Sequence, residues 1–183
     1  MKKYILSVLF PAIVMVFASV SSAQAQKPKP GSVDEKLKEL NITLTPVAPS
    51  NASIIKTVRM GKKIVYTSGH GPDKPGGGQI TGTVGADLTL EQGREAARLT
   101  GISLLSALKA EIGDLSKIKR VVKVLGLVNC TPGFAQQPQV MNAFSDMIVE
   151  IFGEKGRHAR SAVGTNALPG NIAVEIEMIV ELY

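Results

Sequence analysis

The chain has 183 residues, a formal net charge of +6 and one cysteine, Cys130. A single cysteine excludes an intramolecular disulfide, so a packed core must hold the fold. Trp is absent and aromatic residues make up 4% of the chain, which leaves few stacking platforms for bases and argues against a nucleic-acid partner.

Lys2 and Lys3 precede an apolar stretch from Tyr4 to Val20, and Ser21-Ser22-Ala23-Gln24-Ala25 supplies an Ala-x-Ala cleavage site. That is the pattern of a secretory signal peptide over residues 1–25. The apolar run is short for a membrane span and Pro11 interrupts it, so the expectation is cleavage after Ala25, no stable membrane anchor, and a periplasmic or secreted product. Cleavage leaves 158 residues carrying 19 basic and 15 acidic side chains, a charge of +4. This is one domain, long enough for a real core. The two basic concentrations, Lys117–Lys123 and Lys155–Arg160, are short and interrupted, as on a solvated face.

Residues 26–32 read as a linker, with Lys and Pro alternating in its middle. The predicted domain runs from 33 to 183. Ser32-Val33-Asp34-Glu35 fits a capping box for a short helix through Leu40. Ile54–Met60 and Ile64–Ser68 read as strands joined at Gly61-Lys62-Lys63. Lys74-Pro75-Gly76-Gly77-Gly78 is a loop; no Gly-Lys-Ser or Gly-Lys-Thr follows it, so its glycines serve flexibility rather than phosphate binding. Thr89-Leu90-Glu91-Gln92 is a second capping box, opening a long helix to Ile112 with Gly113 as its stop. Arg120–Val128 reads as a strand, and Val140, Phe144, Met147, Ile148 and Ile151 recur at helical spacing as a core stripe.

In the last quarter, Val174, Ile176, Met178, Val180 and Leu182 alternate with Ala173, Glu175, Glu177, Ile179 and Glu181, the period of a strand with one buried face. Leu168-Pro169-Gly170-Asn171 has turn residues that can fold this strand back beside Arg160–Thr165. If the two strands pair, Glu175 comes within reach of whatever Arg160 holds. The whole order predicts an α+β fold, a mixed sheet packed on two helices.

Arg160 presents a planar fork of donors that suits a small carboxylate or, equally, an ion pair at a surface or interface. Glu175 can orient or activate water, or be a structural partner to Arg160. His158 reads as a loop residue. Cys130 has no base beside it in sequence and fits a buried thiol better than a nucleophile. His70, alone after a strand, suits a structural role better than acid–base chemistry. No metal-ligand spacing is present, and no cofactor is called for.

Ala159-Arg160-Ser161, Leu168-Pro169 and Val174-Glu175-Ile176-Glu177, with Val65–Gly69 and Val122-Lys123 upstream, resemble the RidA (YjgF) family in order and spacing. Asp87–Gly93, Arg120–Lys123 and Gly156–Gly164 resemble its chorismate-mutase-like, endoribonuclease-labelled branch. The resemblance implies a barrel-like homotrimer with sites between subunits. It also implies that Arg160 anchors a small carboxylic acid and that Glu175 positions water. Ser68 and Asn142 stand at pocket positions, though each also suits a local hydrogen bond to backbone, and backbone near Ala162 and Gly164 completes the pocket. The implied activity is hydrolysis of small imine or enamine acids to keto acids and ammonia. Alternatives are a non-catalytic binder of small carboxylic acids and, ranked last, an endoribonuclease. The family's pocket tyrosine falls near Ile54 here, its glutamine is His70, and the cysteine of its deaminases is Ala162, which leaves substrate choice and deamination itself open.

Overall fold

The computed structural model describes residues 32–48 and 52–183. The expected leader over 1–25 and all of the linker except Ser32 lie outside the described residues.

Helix α1 (Val33–Glu39) starts where Ser32 Oγ accepts the Glu35 N–H at 3.3 Å. It buries Leu37 and is tied to the next helix by Lys109–Asp34 at 2.7 Å. Strands β1 (Thr57–Met60) and β2 (Ile64–Thr67) form an antiparallel hairpin. Gly61 sits at its turn with φ +64°, a conformation that favours glycine.

Helix α2 (Leu90–Ile112) opens on the reciprocal box the sequence predicts. Thr89 Oγ1 accepts the Gln92 N–H at 3.2 Å, and Gln92 Oε1 accepts the Thr89 N–H at 2.8 Å. Gly113 ends the helix at φ +80°. Strand β3 (Ile118–Asn129) leads to α3 (Gln137–Phe152), with Pro138 in the first turn, where its missing N–H is harmless. Then come the edge strand β4 (Ala159–Thr165) and β5 (Val174–Leu182).

The five strands lie in the order β1-β2-β5-β3-β4, with β3 and β4 parallel and the other pairs antiparallel. The predicted α+β architecture is therefore present, but the predicted pairing of the last two strands is not. The β3 strand lies between β4 and β5, pairing Leu127 with Val163 on one side and with Glu175 on the other. The physical reason is the helix between β3 and β4: a strand–helix–strand crossover sets its two strands parallel and adjacent. The place beside β4 is thus taken before β5 arrives.

The core lies between the sheet and the two long helices. Phe144, Leu104, Leu105, Leu108, Ile148, Ile176 and Met178 are all below 2% exposed. Gly101 in α2 lets α3 approach closely, since a Cβ there would lie 2.9 Å from Phe144 Cδ2. Gly126 in β3 likewise leaves the space that Met141 fills.

The other face of the sheet is bare in the single chain and carries an exposed apolar set beside the acidic side chains of β5. On β1, Thr57 and Arg59 turn to Glu111 of α2, which sends Val58 and Met60 outward. Val58, Met60, Tyr66, Val122 and Val163 are each at least 39% exposed. A solvated sheet face ordinarily carries polar residues at these positions.

Candidate functional site

Along β4, Arg160, Ala162 and Gly164 share the face that meets α3, because they pair with Val124, Gly126 and Val128 of the buried face of β3. Arg160 is held there by three acceptors on α3. Nη1 donates to Ser145 Oγ at 2.9 Å, and Nη2 donates to Asn142 Oδ1 at 3.0 Å and to the Pro138 carbonyl at 3.3 Å. All three are neutral, so the guanidinium keeps its charge for an anion. Partial burial lowers its pKa from the ordinary arginine value, and Asp146 nearby works in the opposite direction.

Ala162 packs against the core beside Gly126. Gly164 is pressed by Gln137 and Cys130: a Cβ there would lie 2.7 Å from Gln137 Nε2 and 2.8 Å from Cys130 Sγ. Cys130 is buried, and Gln137 Nε2 donates to its sulfur at 3.6 Å. Among the described residues, no base touches this thiol.

Glu175 points the other way. It alternates with buried Val174, Ile176 and Met178 on β5 and therefore leaves the sheet on the bare face, two strands from Arg160. One chain does not bring the two together. The Glu175 carboxylate lies against Gly69, where any side chain would collide with it, and it makes no hydrogen bond or ion pair among the described residues. Burial, and then the neighbouring Glu177, raise its pKa above the usual carboxylate range.

Ser68, beside Gly69 at the end of β2, donates its hydroxyl to the Ile55 carbonyl at 2.6 Å. Asn142 is thus the predicted pocket residue that meets Arg160, and Ser68 is the one that lies near Glu175. His70 is 6% exposed; its Nδ1 lies 2.8 Å from the Ser68 carbonyl, and its buried Nε2 has no hydrogen-bond partner among the described residues. Burial lowers its pKa, which suits a structural ring. Ile54 is 77% exposed.

Three neighbours of Arg160 escape sequence reasoning: Ser145, the Pro138 carbonyl and His158. His158 is half-buried and reaches Ser145 through Nε2 at 3.0 Å. The usable signal was the strand–helix–strand order, which places β4 alongside α3. A cavity of about 850 Å³ lies elsewhere, between residues 41–48, the loop at 73–78 and α2, and none of the predicted site residues lines it. Among the described residues no group of three or more His, Cys, Asp or Glu could hold a metal.

Residues 37–182 match the family model described as "YjgF/chorismate_mutase-like, putative endoribonuclease". The chain is 41% identical over 153 residues to Protein TCP17 of Trypanosoma cruzi, covering 83% of this chain and 95% of that one. A solved protein of unknown function from Agrobacterium tumefaciens is 40% identical, with a TM-score of 0.77 over 83% of this chain and 94% of that one. A solved "putative endoribonuclease" from Shewanella oneidensis is 29% identical, with the same TM-score over 82% of this chain and 99% of the other. The chain belongs to the YjgF (RidA) family.

Proposed function

We propose that the protein hydrolyses small imine or enamine acids at a site completed between two copies of the chain. Arg160 of one copy takes the substrate carboxylate with its charge and the N–H groups that α3 leaves unused. Glu175 of the next takes a proton from water as the water oxygen bonds to the imine carbon. Glu175 hands that proton to the nitrogen, and the proton of the new hydroxyl follows it as C=O forms and the C–N bond breaks, releasing ammonia and a keto acid. A carboxylate pKa raised by burial brings Glu175 closer to the basicity this step needs.

The carrying observation is that Arg160 and Glu175 leave opposite faces of one sheet. An anion on Arg160 can meet a Glu175 only if another copy supplies it. The bare apolar face around Val58, Met60, Tyr66 and Val163 supports such self-association, and a closed ring of three copies would give each site one residue from each side.

Mixing tests this directly. Arg160→Ala and Glu175→Gln chains, each inactive alone toward freshly generated 2-aminoacrylate, are refolded together at equal amounts. Random assembly places an intact Arg160 opposite an intact Glu175 in about a quarter of the sites, so ammonia release should return to roughly that fraction. If mixing restores nothing while both variants assemble, the two residues do not share a site between copies.

A second reading is a binder of small carboxylic acids without turnover. It is favoured by Ala162, which leaves β4 without a thiol beside Arg160. Saturable binding of pyruvate with no release of ammonia from 2-aminoacrylate would establish it. Export is proposed as well, from residues 1–25, and Gln26 as the first residue of the mature protein would confirm it.

A further inference from the structure

Arg160 ends a chain of hydrogen bonds that begins at a histidine. His158 Nδ1 lies 2.6 Å from the Gly156 carbonyl; a carbonyl can only accept, so Nδ1 carries the hydrogen. In the neutral ring Nε2 is then an acceptor, and the Ser145 hydroxyl 3.0 Å away donates to it. This turns the lone pairs of Ser145 toward Arg160 Nη1, 2.9 Å away. The ring also rests edge-on against Phe144, with centroids 6.0 Å apart.

A proton on His158 Nε2 reverses its bond with Ser145. Nε2–H then donates to Ser145, whose oxygen accepts from two cationic groups at once, and the hydroxyl hydrogen turns elsewhere. Repulsion between Arg160 and the charged ring opposes this state. An anion seated on Arg160 cancels the repulsion.

Resting on the carboxylate-anchor reading of Arg160, we propose that His158, acting through Ser145, couples that anchor to pH: His158 takes up a proton as a small carboxylate binds. By linkage, the charged ring must tighten binding by the same factor that binding favours the proton. Affinity therefore rises as pH falls. Ser145 and His158 are positioning residues, since neither touches the ligand itself.

The charged surroundings leave Arg160 as the partner that matters. It lies on β4 and opposes a charge on the ring. Asp146 on α3 acts on Arg160. Glu154 and Arg157 on the preceding turn pair with each other at 3.4 Å, and Lys155 of the same turn lies over the Tyr183 ring, 5.0 Å from its centroid. Lys123 on β3 donates to Ser161 at 2.7 Å. Glu175 titrates too, on the opposite sheet face, and the test must separate it.

The chain has two histidines, so ring proton signals in NMR can be assigned with a His70 variant. Pyruvate is the probe because it stays ionised from about pH 5 to about pH 8. Saturating pyruvate should raise the His158 midpoint, and its affinity should improve about fivefold to tenfold as pH falls from about 8 to about 5. Without ligand, Arg160→Gln should also raise the midpoint, because the opposing cation is gone. In a Glu175→Gln background, where the glutamate of the adjoining copy no longer titrates, His158→Gln should flatten the pH dependence of affinity that remains. An unmoved His158 midpoint in protein that binds pyruvate, or in folded Arg160→Gln, overturns the coupling alone. No pyruvate binding at any pH overturns the carboxylate reading, and the coupling falls with it.

Discussion

Arg160 and Glu175 are held in opposite ways. The arginine is set by three neutral acceptors on α3, at 2.9, 3.0 and 3.3 Å. The glutamate has no hydrogen-bond partner among the described residues and is confined by the bare backbone of Gly69 and by Glu177. One group is fixed before any ligand arrives. The other is left with unmet acceptor capacity, which water, a substrate or another chain can fill. In the proposed site the anchor is fixed and the proposed base is left under electrostatic stress.

The largest effect should come from breaking the fixed side. Arg160→Lys keeps the charge but cannot reach Ser145, Asn142 and Pro138 with one planar group. We expect pyruvate affinity to fall about 100-fold, nearly as far as in Arg160→Ala, because losing one partner of a hydrogen-bonded charge pair costs about 2–5 kcal/mol. Titration calorimetry checks it; a lysine variant that binds within twofold of the parent would show that charge alone does the anchoring.

Gly69→Ala attacks the other side. Its methyl group must displace the Glu175 carboxylate, so ammonia release should fall about tenfold or more while Arg160-dependent binding of pyruvate holds. Equal losses of both would mean that the substitution disturbs the sheet rather than the glutamate.

A smaller effect is expected from the acceptors themselves. Ser145→Ala removes one of the three bonds to Arg160 and should weaken binding severalfold, with about 1 kcal/mol lost from stability in urea unfolding. Gly101→Ala is the matched control in the core. Better helix propensity favours it by about 1 kcal/mol, but Phe144 and Met147 crowd the new methyl, and overpacking costs about 1–3 kcal/mol. Net destabilisation with unchanged pyruvate affinity is the expected outcome.

What the sequence shows plainly is what local chemistry decides. The Thr89–Gln92 box, the Gly113 stop and the Val140–Ile151 stripe need only neighbours within a few turns, and each stands where it is predicted. The pairing of β4 with β5 depended on a turn signal at Leu168–Asn171, which is real but does not say which strand lies alongside. The crossover through α3 decides that, and with it the face each side chain takes. Arg160 and Glu175 could be singled out from the sequence as candidates; their separation could not, because a side chain's face depends on register with strands far away in sequence. Ser145 and His158 were hidden for the same reason: they meet Arg160 only once β4 is laid along α3.

The smallest predicted effect follows from protons, and it separates the two regions by sign. Glu175 has a folded-state pKa above its ordinary value, so the unfolded chain ionises first and stability falls as pH rises between the unfolded and folded values. Glu175→Gln removes that penalty. The single chain should be as stable or slightly more stable, within about 0.5 kcal/mol, above the ordinary glutamate range, and unchanged below it, where both states are protonated. His158 and His70 act in the opposite sense: both are lowered from 6.5, first by burial, so the unfolded chain binds their protons first and stability falls as pH drops below that value. Urea midpoints across this range should therefore decline toward acid in the parent and decline less in His158→Gln. If Glu175→Gln instead destabilises the chain near neutral pH, the glutamate is serving the fold, and its half-buried carboxylate loses its claim on the reaction.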